Sequence, residues 1–294
     1  MIKLPCLRQQ FLFARSHAPI SARRHLVTRE CVAHKHDFVE IASVCSGEGR
    51  HETIHGETRT RPGDVYILRP GAWHAFRNCR HLTVFNCLFG AGLLRRELAW
   101  TLEDPAINWL LWSGPLSPEC RGVMSLHLSP EKLTPCLKRL ESLACLNRDT
   151  NPESRVEQIG QLALFLAALS RGAGKKHPRL ARTEHRPHSA VTRAVQLMEE
   201  DLNRDWNLGD LAATLRIHPS YLARLCKAQL GLPPMAYFLN RRMEGASALL
   251  LRSKKSVSEV AYQSGWKDPN YFARCFRQHF GLAATEYRRR FAEK

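Results

Sequence analysis

The chain has 294 residues, 44% of them hydrophobic, enough for two domains with ordinary cores. It carries 44 Lys and Arg against 27 Asp and Glu, a formal net charge of +17, which favours a polyanionic partner without separating DNA from RNA or an acidic membrane surface. No window approaches a charge-free run of about 18 apolar residues, so no membrane span is expected.

Residues 1–28 are basic and free of acids, and read as a flexible lead-in. Its opening, MIKLPCLRQQFLFARS, is too broken by Arg and Gln to serve as a signal peptide; with ten cysteines at irregular spacing, this predicts free thiols and a cytoplasmic setting. From about Phe38 to Phe89, short apolar runs alternate with turn signals: IASV, Ser46-Gly47-Glu48-Gly49, HETI, His55-Gly56, DVYIL, Pro70-Gly71 and LTVFNCLF. Such a series predicts compact antiparallel β structure.

From Pro130 the period becomes helical. SPEKLTPCLKRLESLACL and, after the Asn151-Pro152 breaker, SRVEQIGQLALFLAALS repeat apolar residues at three and four. Val156, Ile159, Leu162, Leu166 and Leu169 form a stripe suited either to a second copy of the chain or to covering the β structure. Residues 29–170 are thus read as one domain. Residues 171–187, with six Lys or Arg and one Glu among Gly, Pro and His, are read as a basic linker, either a solvated tether or a phosphate-contacting one.

Residues 188–294 contain an internal repeat. SYLARLCKAQLGLPPMAY (Ser220–Tyr237) lies over NYFARCFRQHFGLAATEY (Asn270–Tyr287) fifty residues on, matching Tyr221 with Tyr271, Arg224 with Arg274 and Gly231-Leu232 with Gly281-Leu282. Upstream, LAATLRIHP matches VAYQSGWKDP with one extra residue in the second turn. Each copy predicts a helix, a tight turn and a second helix. Asn207, and Ser256 with Glu259, cap the first helices; Pro219 and Pro269 open the second, with Asp268 as N-cap, and Gly231 and Gly281 close them. Leu222 with Leu225, and Phe272 with Phe276, are the expected buried stripes, and Tyr221 and Tyr271 are expected to pack under the turn.

The second helices would expose Ser220, Arg224 and Lys227 in one copy and Asn270, Arg274, Arg277 and Gln278 in the other. Arg suits guanine, Asn and Gln suit adenine, and Lys and hydroxyl groups serve bases or phosphates, so these seven are the candidate DNA contacts. Arg224 and Arg274 are open to a second reading as internal salt-bridge partners. The stretch PPMAYFLNRRMEGASALLLRS between the copies predicts one long helix that spaces two readers for adjacent major grooves.

The stretch Leu208–Arg288 resembles the paired helix-turn-helix domain of the AraC/XylS regulators, through LAATLRIHPSYLARLCKAQLG, YFLNRRMEGASALL, VSEVAYQSGWKDPNYFARCFRQHFG and the terminal EYR. It departs from the family at Ala283-Ala284, where Ser or Thr and then Pro are usual, and at Trp266, where Phe is usual. HKHDFVEIASVCSGEG and GDVYILRPGAWHAF resemble the cupin-type effector domain of the sugar-responsive, rhamnose-type members. The resemblance implies two domains: an N-terminal cupin-like β-barrel with dimerisation helices, and a C-terminal all-α paired helix-turn-helix domain. It implies a transcription regulator, an activator by family habit, with double-stranded promoter DNA, RNA polymerase and a second copy of the chain as partners.

His34, His36, Glu40, Trp73 and His74 are the candidate contacts for a small polar effector such as a sugar. No cofactor is expected; should a metal bind, His34, His36, Glu40 and His74 match the cupin ligand positions. The chain shows no nucleophile motif or phosphate loop, so it is not read as an enzyme. Two other readings stay open: a DNA binder without an effector, and a metal-dependent cupin enzyme fused to a DNA-binding domain.

Overall fold

The computed structural model describes residues 6–7, 13, 18–117, 119–146, 154–174 and 189–291. Most of the expected basic linker, and much of the expected lead-in, lie outside these residues. The chain divides into two compact units, one built from the described residues of 4–99 and 122–177, the other from those of 100–121 and 178–294.

The first unit is an eight-stranded sheet: β1 (Cys6–Leu7), β2 (Ile20–Val27), β3 (Cys31–His36), β4 (Val39–Thr53), β5 (Gly56–Thr60), β6 (Asp64–Leu68), β7 (Trp73–Phe89) and β8 (Val123–His127). Two long antiparallel strands are its spine, β4 and β7, in register from Val39 opposite Phe89 to Glu52 opposite Ala75. The turn expected at Ser46–Gly49 is instead a run of bulges inside β4, with register shifts between Val44 and Arg50. Extra residues there bend the strand without ending its ladder. Alternation along the strands buries Ala42, Val44, Tyr66, Leu68, Phe76, Leu82 and Val84 in one core.

The expected cupin-like barrel is not what forms. The strand order is β1-β3-β7-β4-β6-β8, with β2 added on β7 and β5 on β4, and the two ends of the path, β1 and β8, do not pair. Closure needs the end strands to meet at a consistent stagger. Here β8 pairs with β6, β1 pairs in parallel with β3, and the sheet stays open. The stretch read as a lead-in also contributes a strand, since β2 pairs with β7 from Ile20 opposite Phe89 to Val27 opposite Leu82.

Helices α2 (Pro130–Leu146) and α3 (Ser154–Ala173) pack on each other, and α2 lies against β2 and β7. Arg24 of β2 pairs with Glu141 of α2. The predicted stripe on α3 is split: Leu162, Leu166 and Leu169 are buried within this unit, while Val156 is 76% exposed. The leucines therefore cover their own domain, the second of the two uses the sequence left open.

The second unit is helical: α4 (Ser189–Glu200), α5 (Leu208–Thr214), α6 (Pro219–Leu230), α7 (Pro234–Arg252), α8 (Val257–Gln263), α9 (Pro269–Phe280) and α10 (Ala284–Phe291). It also takes in Trp100–Arg121, which lies within residues 29–170 and is expected in the first domain, and which carries the short α1 (Pro105–Asn108). Trp112 of this insert is fully buried, its ring 6.1 Å from that of Tyr237 and its Nε1 donating to Thr101 Oγ1 at 3.2 Å. Asn240 Nδ2 of α7 donates to the Leu116 carbonyl at 2.9 Å.

Under α7 lies a buried ionic network. Arg241 Nε donates to Glu199 Oε1 at 2.5 Å, Tyr237 Oη donates to the same oxygen at 2.7 Å, and Glu244 pairs with Arg241 from the next turn. Each desolvated charge keeps an opposite partner, as burial requires.

Candidate functional site

The two repeats build matching helix-turn-helix units, α5 with α6 and α8 with α9. Asn207 Oδ1 accepts from Asp210 N at 2.9 Å. Ser256 and Glu259 form the reciprocal capping box, with Glu259 N donating to Ser256 Oγ at 3.1 Å and Ser256 N donating to Glu259 Oε2 at 2.6 Å. Asp268 Oδ1 accepts from Asn270 N at 2.8 Å, and α6 and α9 each end on a left-handed glycine, Gly231 and Gly281. In the turns, Ile217 N donates to Ala212 O at 3.1 Å and Trp266 N to Ala261 O at 3.0 Å, so the extra residue of the second copy is absorbed without changing that bond.

Leu222, Cys226 and Leu230 of α6, and Phe272, Phe276 and Phe280 of α9, face the core; Leu225, expected there, is half-buried, its place taken by Cys226. This orientation leaves Ser220, Arg224, Lys227, Asn270, Arg274, Arg277 and Gln278 all exposed. Spaced at i, i+4, i+7 and i+8, they line one face of each helix. Neither Arg224 nor Arg274 has a carboxylate partner among the described residues, which removes the internal salt-bridge reading.

Each of these arginines instead lies over a tyrosine ring one turn back, Arg224 at 5.3 Å from Tyr221 and Arg274 at 5.6 Å from Tyr271. Tyr271 does not pack under the turn as expected: it is 49% exposed, with one edge against Trp266. The sequence did carry a signal for this pairing, the Tyr-x-x-Arg spacing in both copies.

In the sheet unit, His34 and His36 are two apart on β3 and share a face, and His34 is directly opposite His74 of β7. Glu40, near the start of β4, completes a buried cluster: its Oε2 lies 3.0 Å from His36 Nε2 and 3.6 Å from His74 Nε2. His34 and His36 present Nδ1 to backbone carbonyls, Val32 O at 2.9 Å and Phe38 O at 2.8 Å. His51 of β4 approaches from the far side, its Nε2 3.1 Å from His74 Nδ1. His51 was missed in the sequence, although the buried, exposed, buried pattern of β4 includes it.

Trp73 is buried but neighbours His74 along β7, and the pleat turns adjacent residues to opposite faces. The structure therefore gathers four of the five expected effector residues and sets Trp73 apart.

Burial opposes the charge of Glu40, but the His36 and His74 imidazoles beside it prevail and hold its carboxyl well below the usual range. Burial, helped by His74, pushes His34 down to about 3, and burial also drives His51 well below the ordinary imidazole value. The cluster is thus a buried carboxylate among imidazole nitrogens, a set able to orient a polar ligand or hold a cation.

Residues 20–169 match the AraC-like ligand binding domain, and residues 211–290 match a helix-turn-helix domain. The chain belongs to the AraC/XylS family. Its members are DNA-binding transcription regulators, and this chain is a sequence-specific DNA-binding regulator rather than an enzyme. It is 25% identical to the HTH-type transcriptional activator RhaR of Mannheimia succiniciproducens, over 96% of each chain. With the RhaR of Yersinia pestis (strain Angola) it shares 23% identity over 93% of this chain and 90% of the other. Among solved structures, ToxT from Vibrio cholerae aligns with a TM-score of 0.50 at 13% identity, covering 91% of this chain and 97% of that one, a likeness of fold. Among the described residues no helix is long and apolar enough to cross a membrane.

Proposed function

We propose that this regulator activates transcription from promoter DNA in response to a small polar effector taken up by the sheet unit, working as a homodimer and contacting RNA polymerase. The observation that carries the reading is the pair of second helices with matching exposed faces: Ser220, Arg224 and Lys227 on α6, and Asn270, Arg274, Arg277 and Gln278 on α9. Between them, α7 is a continuous helix of 19 residues, about 28 Å at 1.5 Å per residue. This is close to the roughly 34 Å between successive major grooves on one side of a duplex.

The effector role falls to His34, His36, Glu40 and His74, four buried polar side chains converging on one point. An effector shifts the balance between arrangements of the protein only if it binds one of them better. Activation follows from the likeness to the RhaR transcriptional activators, and the sugar class follows from the resemblance to sugar-responsive members.

The test is selection of duplex sites by the purified full-length protein, followed by binding and transcription on the selected promoter with and without a panel of sugars. A defined site protected over two adjacent major-groove segments, with transcript yield rising with one compound, is the expected result. Binding with no sequence preference overturns the readout by these helices. Unchanged affinity and yield with every compound overturns the effector role.

A further inference from the structure

We propose that the helical unit carries a small-molecule site of its own, a cleft beside Arg242 that takes a short monocarboxylate. The site uses no residue of the histidine cluster or of the DNA face, and it does not depend on the effector reading.

Two arginines adjoin on α7 and meet opposite surroundings. Burial opposes the charge of Arg241, but Glu199 and Tyr237 outweigh it and raise the guanidinium above its ordinary value. For Arg242 burial prevails and lowers the guanidinium, with Asp205 offsetting only part of the effect. Asp205 is itself engaged by Lys267, at 2.6 Å. Arg242 is 9% exposed; its Nε donates to Ser264 O at 2.9 Å, and its guanidinium lies 4.8 Å from the Trp266 ring and 5.3 Å from the Phe238 ring. The rings offer the cation their faces but accept no hydrogen bond in the guanidinium plane. Nη2 is buried and has no hydrogen-bond partner among the described residues. A guanidinium keeps its proton, so the missing acceptor is a standing demand for an anion.

The second observation is room. Arg242 lines a cleft of about 160 Å³ formed by the connection from α4 to α5, by α7 and by the end of α8. Gly245, three residues along α7, also lines it, is exposed, and would meet nothing within 4 Å if given a Cβ. Glycine in mid-helix is less stable than alanine, and here the missing side chain keeps the cleft open. Half-buried Leu202 and Leu249 supply apolar walls, and exposed Asn203 and Gln263 a polar rim.

These parts select the ligand class. A planar fork matches the two oxygens of a carboxylate, the leucines suit a hydrocarbon tail, and the volume holds about six non-hydrogen atoms. Phosphate or chloride would meet the charge and leave the apolar walls unused. Arg242 also grips the turn of the second helix-turn-helix unit through Ser264 O and the Trp266 ring, whose edge meets Tyr271 at 5.5 Å. A carboxylate that fixes Arg242 therefore steadies the turn leading into α9.

The experiment titrates the full-length protein with butyrate in buffer free of other carboxylates, following the ligand by NMR and the protein by hydrogen exchange. The expected result is one saturable site with half-saturation near about 1 mM, slower exchange in peptides covering Gln263 to Trp266, and binding of inorganic phosphate at least about tenfold weaker. Gly245→Leu, which fills the cleft and leaves Arg242 in place, should weaken butyrate about tenfold or more and abolish the change in exchange. Arg242→Lys should also weaken it, since an ammonium does not match both oxygens. Far-UV dichroism checks that each variant folds; if Arg242→Lys does not, Gly245→Leu carries the test, leucine being the better helix former. No saturation by about 50 mM overturns the proposal. Equal binding by wild type and Gly245→Leu overturns it and places butyrate elsewhere, and equal affinity for phosphate and butyrate overturns the carboxylate class.

Discussion

The turn of the second helix-turn-helix unit should not tolerate a methyl group at Gly265. This residue sits at φ +79°, and an added Cβ would stand 2.6 Å from the Asn203 carbonyl oxygen, 2.9 Å from Asn203 Cα and 2.5 Å from Arg242 Nη2. Arg242 lines a pocket and its guanidinium can shift, but the Asn203 contacts are to backbone, which cannot yield without moving the segment that carries them. The left-handed backbone costs an alanine about 1 kcal/mol, and overpacking adds about 1–3 kcal/mol. Gly265→Ala should therefore destabilise the helical unit by about 2–4 kcal/mol.

The first unit provides the control. Its turn places Arg216 at φ +55°, a side chain where the second copy has glycine. Arg216→Gly relieves about 1–2 kcal/mol of backbone strain and loses about 0.5–1 kcal/mol to chain freedom, so it should be neutral or up to about 1.5 kcal/mol stabilising. Hydrogen exchange by mass spectrometry along a urea series, on the full chain, reads both through peptides covering α5–α6 and α8–α9. A Gly265→Ala protein within about 0.5 kcal/mol of wild type, or an Arg216→Gly protein weaker by more than about 1 kcal/mol, refutes this account of the turns.

At the DNA face, Arg274→Ala should weaken binding to a selected site by about 1–3 kcal/mol while sparing random duplex, measured by anisotropy over several salt concentrations; equal losses with a shallower salt slope would reassign Arg274 to a phosphate. Tyr271→Ala, which removes the ring under Arg274, should reproduce part of that specific loss, and unchanged discrimination would show that the stack does not orient the arginine. Glu199→Ala removes one of the two carboxylates on the buried Arg241, which keeps Glu244, and takes the acceptor from Tyr237 Oη, so it should cost about 1–3 kcal/mol in thermal or urea unfolding; a loss below about 0.5 kcal/mol would mean the network is solvated. Ser256→Ala should cost about 1 kcal/mol by loss of the capping box, read from exchange in α8, and unaltered exchange there would count against the cap.

The helical unit was legible because its signals are local. Caps, a first-turn proline and a closing glycine act within a few residues, and fifty-residue repetition let each copy check the other. Where the reading slipped, at Leu225 and Cys226, the side chains adjoin on the boundary of the buried stripe, and periodicity does not resolve one position. The sheet was less legible because closure depends on partners far apart in the chain. Runs such as DVYIL and LTVFNCLF announce strands, but nothing local says that β8 will pair with β6 and leave the path open. The turn expected at Ser46–Gly49 has the composition of a hairpin and forms bulges, because β7 continues alongside it as partner. Trp100–Arg121 looked like part of the β domain by position, while its contacts, such as Trp112 on Tyr237, lie with α7. His34, His36, Glu40 and His74 were found by their pattern; His51 and the displacement of Trp73 needed the pleat.

The two second helices are similar in build and unequal in what they offer, with Ser220 and Ala228 where the other has Asn270 and Gln278. They also follow one another in a single chain, and their differing side chains mean that no two-fold rotation makes them equivalent. A reader of this kind gives its binding site a direction. Within the segment read by one chain, the order of the two half-sites fixes which way that chain lies on the duplex, and one half-site should tolerate sequence drift that the other does not. A promoter bound this way has an upstream and a downstream end, fixed by which helix lies on which segment.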